Sequence, residues 1–121
     1  MTSPTRDSST ADIAKYAVDV ASENLASDIA LLDLHGVSDF TDYFVIASGE
    51  TARHLESLAE DVSHALRDLG IHLHHREGKG EGGWILLDFP GIVVDLFTRQ
   101  VRDRYGLERL WGRANEILRV Q

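Results

Sequence analysis

The hydrophobic positions of the chain change period several times, and each change predicts a new element. Apolar residues at intervals of three to four positions predict a first helix: Ile13, Ala17, Val20, Ala21 and Leu25. Ser9 or Thr10 precedes this face and can cap the helix, with Asp12 favourable in the first turn. Two nearly continuous apolar runs follow at 28–34 and 43–48, a pattern typical of strands covered on both faces.

The most regular helical pattern comes after the second strand. It starts at Thr51, and its apolar face is formed by Leu55, Leu58, Val62, Leu66 and Leu69. Gly70 then ends the helix, as a glycine just past the last turn commonly does. Residues 71–76 alternate as a third strand. The strand–helix–strand order predicts that this strand runs parallel to 43–48.

Residues 84–97 predict two strands joined at Pro90-Gly91. If Phe89 pairs with Ile92, one face is wholly apolar: Ile85, Leu87, Phe89, Ile92, Val94 and Leu96. The opposite face is mixed: Trp84, Leu86, Asp88, Val93, Asp95 and Phe97. Because L-Pro-Gly prefers a type II turn, which suits a tight hairpin poorly, a register shifted by one residue stays open.

A short charged helix is predicted at 99–105, with Thr98 as its cap and Gly106 at its end. Beyond it, Leu107, Leu110 and Trp111 compete for burial, which favours docking of the C-terminal segment on the sheet. The pattern as a whole predicts one α/β (α+β) domain at 9–121, after a polar, disordered tail at 1–8. Its sheet is expected to be mixed, with about five strands flanked by helices.

Composition excludes several classes of protein. The 121 residues include no cysteine, so disulfides, thiolate catalysis and cysteine-based zinc sites are ruled out. A net charge of −8 and only two lysines argue against an extended nucleic-acid footprint and favour a basic protein partner. The N-terminus has no signal-peptide pattern and no apolar run approaches a membrane span, so a soluble, cytoplasmic protein is expected.

Two segments invite a ligand, and each has a plainer explanation. Ser48-Gly49 lies between a strand and a helix N-terminus, where an anion can bind, but no GxGxxG motif or Walker lysine accompanies it. His72, His74 and His75 suggest zinc, but no carboxylate is in register to complete a site. A tight turn and an exposed edge strand are the favoured explanations for these residues, so no metal or cofactor is expected.

Two further features bear on the choice between an enzyme and a binding protein. Asp88 and Asp95 on one face permit a Mg²⁺-dependent enzyme of the nucleotidyltransferase type. The sequence lacks an Asp-x-Asp pair, a phosphate-binding lysine and an activated nucleophile, so the favoured expectation is no enzyme. The glycine-rich link at 77–83 is explained by a flexible hairpin loop, and it can also form an adaptable rim beside Trp84.

The ordered set of motifs resembles the ribosomal silencing factor family (RsfS, also called Iojap-like). The matching segments are TDYFVIASG at 41–49, EG at 77–78, WILLD at 84–88, Val93, Val94 and Phe97, Arg102, and YGLERLW at 105–111. The resemblance implies a sheet related to the nucleotidyltransferase fold, without known nucleotidyl transfer. It also implies binding to the large ribosomal subunit through universal ribosomal protein fourteen at the intersubunit face. There the factor blocks joining of the small subunit and represses translation under nutrient limitation.

The residues that we expect to contact this partner combine family motifs with residue types common in interfaces: Trp84, Asp88, Arg102, Tyr105, Glu108 and Trp111. Little direct contact with nucleic acid is expected. The aromatic surface can also self-associate, so a homodimer of the free chain stays open. The chain departs from the family at two places: Asp95 replaces the usual His, and Pro90-Gly91 replaces a common Gly-Asp pair. Contacts near Asp95 must therefore differ.

Overall fold

The computed structural model describes residues 4–5, 8–106 and 115–121. Within these residues the elements are listed in chain order: α1 Thr10–Glu23, β1 Ser27–Asp33, β2 Tyr43–Gly49, α2 Ala52–Asp68, β3 His75–Glu77, β4 Trp84–Phe89, β5 Ile92–Thr98, α3 Arg99–Tyr105 and β6 Asn115–Val120. A single 3-10 turn, Gly80–Gly82, lies between β3 and β4. No helix in the described part of the chain is long and apolar enough to cross a membrane.

The described strands form one mixed sheet in the order β3-β4-β5-β2-β1-β6. β2 and β5 are parallel, whereas every other neighbouring pair is antiparallel. β3 runs in the same direction as β2, as the strand–helix–strand order predicts, with β4 and β5 between them. The predicted mixed α+β sheet is confirmed, and the C-terminal strand β6 adds to the expected five.

The sheet has two apolar faces, and α1 and α2 cover the first of them. This face carries the predicted apolar side of the hairpin, with Ile85, Leu87, Phe89, Ile92, Val94 and Leu96 each at most 1% exposed. The second face has a smaller cluster around Phe44, Ile46, Val93 and Phe97, and Val101 of α3 packs against it. Strands buried from both sides explain the continuous apolar runs of β1 and β2.

The hairpin register is the predicted one, since Phe89 pairs with Ile92 across a two-residue turn. Gly91 has a φ of +74°, the left-handed conformation that the second central position of a type II turn requires. Its carbonyl accepts hydrogen bonds from the backbone N–H groups of Asp42 and Tyr43, each at 3.1 Å. These hydrogen bonds from the start of β2 therefore stabilise a two-residue hairpin for which the type II turn of Pro-Gly is poorly suited by itself.

Two local predictions are wrong, and a third is confirmed only in part. Leu25 is 80% exposed with a φ of +69°, because α1 ends at Glu23 and Asn24 already caps it. The strand expected at 71–76 is paired only at His75–Glu77, because Ile71 N–H still bonds to Leu66 O at the end of α2. Thr98 occupies the N-cap position of α3 but makes no capping hydrogen bond with its side chain. By contrast, Ser9, one of the two predicted candidates, caps α1, and Thr51, where the second helix was expected to start, is the N-cap of α2.

Candidate docking surface

Trp84 begins β4 and forms the exposed end of the mixed face. Its side chain is stacked on Phe97 of the paired strand, with ring centroids 5.5 Å apart and planes at 23°. The indole Nε1–H donates a hydrogen bond of 3.0 Å to Asp95 Oδ1. Trp84 is nevertheless 42% exposed. A large aromatic side chain is thus fixed on two sides while a substantial part of it faces solvent.

Asp95 is the buried partner of this tryptophan. It lies on β5 between Leu86 of β4 and Ile46 of β2, and it is 4% exposed. Burial raises the pKa of its carboxyl to about 6, and the hydrogen bond from Trp84 opposes that rise. The carboxyl is buried because β5 lies in the interior of the sheet and this face is covered.

Arg102 is also buried, at 2% exposure, although we expected it to contact a partner. Its Nη1 donates to Asp28 O at 2.6 Å and to Ser48 Oγ at 2.9 Å, and its Nη2 lies 3.7 Å from Asp28 Oδ2. These bonds tie α3 to β1 and β2. In this conformation Arg102 has almost no surface to offer a partner, and its contacts stabilise the fold around the site.

Asp28 links this buried guanidinium to the last strand. Its backbone is in the left-handed region, with a φ of +47°, at an irregularity in the β1–β2 register. Its Oδ1 accepts a hydrogen bond of 2.5 Å from Arg119 Nη1 of β6, while Arg119 Nη2 also bonds to Glu116 Oε1 at 2.7 Å. Asp28 thereby joins α3, β1 and β6. Sequence analysis missed it, since nothing in its local pattern marks it.

The remaining expected contact residues differ in how far the structure places them. Asp88 is half-buried on the same face of β4 as Trp84, and Tyr105 is 60% exposed at the end of α3. Glu108 and Trp111, like Leu107 and Leu110, lie outside the described residues. Among the described members of the expected set, the accessible aromatic side chains are those of Trp84 and Tyr105.

The glycine-rich segment beside Trp84 is closely packed rather than open. Glu56 of α2 accepts hydrogen bonds from Arg76 Nη2 at 2.6 Å and from Gly80 N–H at 2.7 Å. The bond from Arg76, and then that from Gly80, lowers the pKa of the Glu56 carboxyl. A Cβ at Gly80 would lie 2.2 Å from Ala52 O, which leaves room for glycine alone. The segment is therefore fastened to α2 rather than free to adapt.

The residues that suggested chemistry are not assembled into one centre. Asp95 pairs with Ile46 of β2, and Asp88 pairs with Val93, which in turn pairs with Phe44 of β2. Phe44 comes four residues before Ser48, so Asp88 is displaced from Ser48 by about 13 Å along the strand direction. Ser48 Oγ accepts a hydrogen bond from Arg102, and the Ser48-Gly49 turn borders an open crevice of about 740 Å³ that neither aspartate lines.

The histidines and carboxylates form no recognisable metal site. His72, His74 and His75 are exposed, and His75 Nε2 lies 2.9 Å from Glu77 Oε1. Among the described residues, no group of three or more His, Asp or Glu side chains is arranged to hold a metal ion. The predicted explanation, exposed histidines on an edge strand, is confirmed for His75 of β3, whereas His72 and His74 are exposed but precede that strand.

A family model described as "Ribosomal silencing factor during starvation" matches residues 7–121. The chain belongs to the ribosomal silencing factor family. RsfS of Bacillus subtilis is 34% identical over 102 residues, which cover 84% of this chain and 86% of that protein. The mouse protein named mitochondrial assembly of ribosomal large subunit protein 1 is 34% identical over 109 residues, covering 81% of this chain and 46% of its own length.

Solved structures agree with this family and with the fold. A crystal structure of a protein from Chromobacterium violaceum matches with a TM-score of 0.82 and 30% identity, covering 87% of this chain and 88% of the other. A second, from Bacillus halodurans, matches with a TM-score of 0.75 and 26% identity, covering 84% and 95%. The resemblance inferred from the ordered motifs is therefore confirmed over the whole domain.

Proposed function

We propose that this chain is a ribosomal silencing factor of the cytoplasm. It binds the large ribosomal subunit at the intersubunit face through universal ribosomal protein fourteen, and its bulk prevents the small subunit from joining. Translation is thereby repressed under nutrient limitation. Family membership supports the silencing role, and the name of the mouse relative refers to the large subunit. Steric exclusion requires no reacting group and no cofactor.

The proposed docking surface rests on one observation, which is the fixed but partly exposed side chain of Trp84. An indole that is 42% exposed, yet stacked on Phe97 and hydrogen-bonded to Asp95, has already lost much of its freedom before any partner arrives. Preorganised aromatic side chains of this kind are typical anchors of protein interfaces, because little conformational entropy remains to be lost on binding. Tyr105 and Asp88 extend the proposed surface, together with Glu108 and Trp111 from the segment beyond Gly106.

The charge of the chain supports a protein partner rather than bare RNA. Its net charge of −8 is complementary to a basic ribosomal protein and unfavourable for extended contact with phosphates. In the absence of ribosomes, the same aromatic surface offers a contact for a second copy of the chain. A homodimer of the free protein would then compete with docking, and light scattering over a range of concentrations would detect it.

Sucrose-gradient sedimentation tests the proposed function most directly. We expect the wild-type chain to sediment with free large subunits and to reduce the yield of joined ribosomes when it is added before small subunits. Trp84→Ala and Tyr105→Ala should each weaken binding to large subunits by about 1–3 kcal/mol, because interface anchors carry much of the binding energy. Binding is measured as the dissociation constant at neutral pH.

Phe40→Ala provides the matched control. Phe40 is an 81% exposed aromatic residue in the link that precedes β2, whereas Trp84 is level with the end of β2 through Phe97. We expect this variant to bind like wild type. A wild-type chain that stays at the top of the gradient would refute the proposed function. A Phe40→Ala variant that loses as much affinity as Trp84→Ala would refute the proposed surface.

A further inference from the structure

Asp95 and Trp84 form a pair in which a buried acid meets a half-exposed indole. The indole Nε1–H is the donor that the structure assigns to the Asp95 side chain, at 3.0 Å. Asp95 itself is 4% exposed and cannot contact a partner directly. A buried carboxylate that bonds to one exposed side chain has most of its influence on the surface through that side chain. Of the two contacts that fix the indole among the described residues, its removal would leave the stacking on Phe97.

The surroundings of Asp95 contain few other charges. On β4, Asp88 lies on the same face in the diagonal position, opposite Val93. The neighbouring stretch of β2 contributes Ile46 and Ser48, neither of which is charged. From α3, the guanidinium of Arg102 bonds to Ser48 Oγ rather than to Asp95. Among the described residues, the hydrogen-bond donor to this carboxylate is therefore the indole.

We propose that Asp95 is the positioning residue that fixes the orientation of Trp84 for docking on the large subunit. This inference rests on the proposed function. An ionised carboxylate accepts a stronger, charge-assisted hydrogen bond than its protonated form, so the indole is held most firmly when Asp95 is charged. With its pKa raised to about 6, this carboxyl changes charge near neutrality, and docking should weaken as the pH falls through that range.

A double-mutant cycle between Asp95 and Trp84 tests the inference at pH 7.5. Asp95→Leu should weaken binding to large subunits about tenfold, because the indole loses its charged acceptor. Asp95→Asn retains an acceptor oxygen and should partly rescue binding, to about threefold below wild type. Trp84→Phe keeps the stacked ring but removes the N–H. In that background, Asp95→Asn should cause no further loss, since the bond it weakens is already absent.

The pH dependence supplies a readout that a merely structural role would not give. Between pH 7.5 and 5.5, wild-type binding should weaken about threefold more than binding of Asp95→Asn, since protonation depletes the competent population. Comparing the two proteins at each pH cancels the titration of the partner. Asp68→Asn, an exposed carboxyl at the end of α2, makes the same change of net charge and should follow wild type.

The free chain gives an independent signal. In a Trp111→Phe background, the indole N–H resonance of Trp84 should shift with a midpoint near pH 6, and it should not titrate in Asp95→Asn. Multiplicative losses in the cycle, or equal pH profiles for wild type and Asp95→Asn, would overturn the inference while leaving the proposed function intact. Failure of the wild-type chain to bind large subunits at either pH would instead overturn the proposed function and docking with it.

Discussion

At the scale of single residues, Asp95 is retained at a cost to stability. Its carboxyl is desolvated in the middle of the sheet, and one hydrogen bond from Trp84 offsets this only in part, so its pKa in the folded chain is about 6 rather than 3.8. A folded pKa above the unfolded value means that stability is greatest when the group is protonated and is lost as the pH rises through about 6. The ionised form therefore opposes folding at neutral pH.

The upward shift of the Asp95 pKa leads to a stability prediction for Asp95→Asn. The amide resembles the protonated acid, so at pH 7.5 the variant should be more stable than wild type by about 1–3 kcal/mol. The difference should shrink as the pH falls below 6 and disappear only well below 3.8, where the carboxyl is protonated in both the folded and the unfolded state. Denaturant unfolding across this pH range measures it, and a variant less stable than wild type at pH 7.5 would contradict the assignment.

The two properties of Asp95→Asn separate a positioning role from a structural one. If the variant is more stable and yet binds large subunits more weakly, loss of folded protein cannot explain the weaker binding. Such a trade between stability and activity is common where a charged group is kept for function.

At the scale of elements, the glycine-rich segment packs against both α2 and the start of α3 and is not a loose hairpin loop. Glu56 holds one side of it through Arg76 and Gly80, while Gly83 lies against Thr98 and Val101 at the start of α3. The carbonyl of Gly83 also accepts a hydrogen bond of 3.0 Å from Thr98 N–H. Because β4 begins immediately after Gly83, the position of Trp84 depends on this packing.

Two glycines of the same 3-10 turn provide a matched test of this packing. A Cβ at Gly80 would meet Ala52 O at 2.2 Å, whereas one at Gly82 would meet nothing within 4 Å. Gly80→Ala should therefore destabilise the fold by about 1–3 kcal/mol through overpacking against backbone, while Gly82→Ala should stay within about 0.5 kcal/mol of wild type. Thermal unfolding compares them. Equal melting temperatures for the two variants would show that the segment moves to accommodate a methyl group at Gly80 without loss of stability.

At the scale of the whole molecule, charge governs how the chain meets its partner. If the proposed basic ribosomal protein is the partner, the net charge of −8 creates a long-range attraction to it that salt screens. We expect the association rate with large subunits to fall about tenfold between 50 and 300 mM salt, while the dissociation rate changes little. Rapid-mixing kinetics measures both rates. A salt-independent association rate would indicate docking driven by apolar contact alone.

The sequence by itself determined most of the elements and the two faces of the β4–β5 hairpin. Capping residues and apolar periodicity located α1 and α2 to within a residue or two, because those signals are local. The alternation in β4 and β5 was sufficient to place Trp84 and Asp95 on one face, in the register that the structure has. The order of motifs across the chain was sufficient to indicate the family.

Tertiary structure alone decided which charged groups are buried and what they hold. Arg102 and Tyr105 are both interface-type residues of one short helix, and only the packing of α3 on β5 and β2 buries the first and exposes the second. Asp28 acquires its role from two arginines that lie 74 and 91 positions away along the chain. Burial of Asp95 likewise depends on strands that are distant in sequence. The local sequence pattern does not indicate such contacts, because they join residues that are distant in sequence and come together only in the folded sheet.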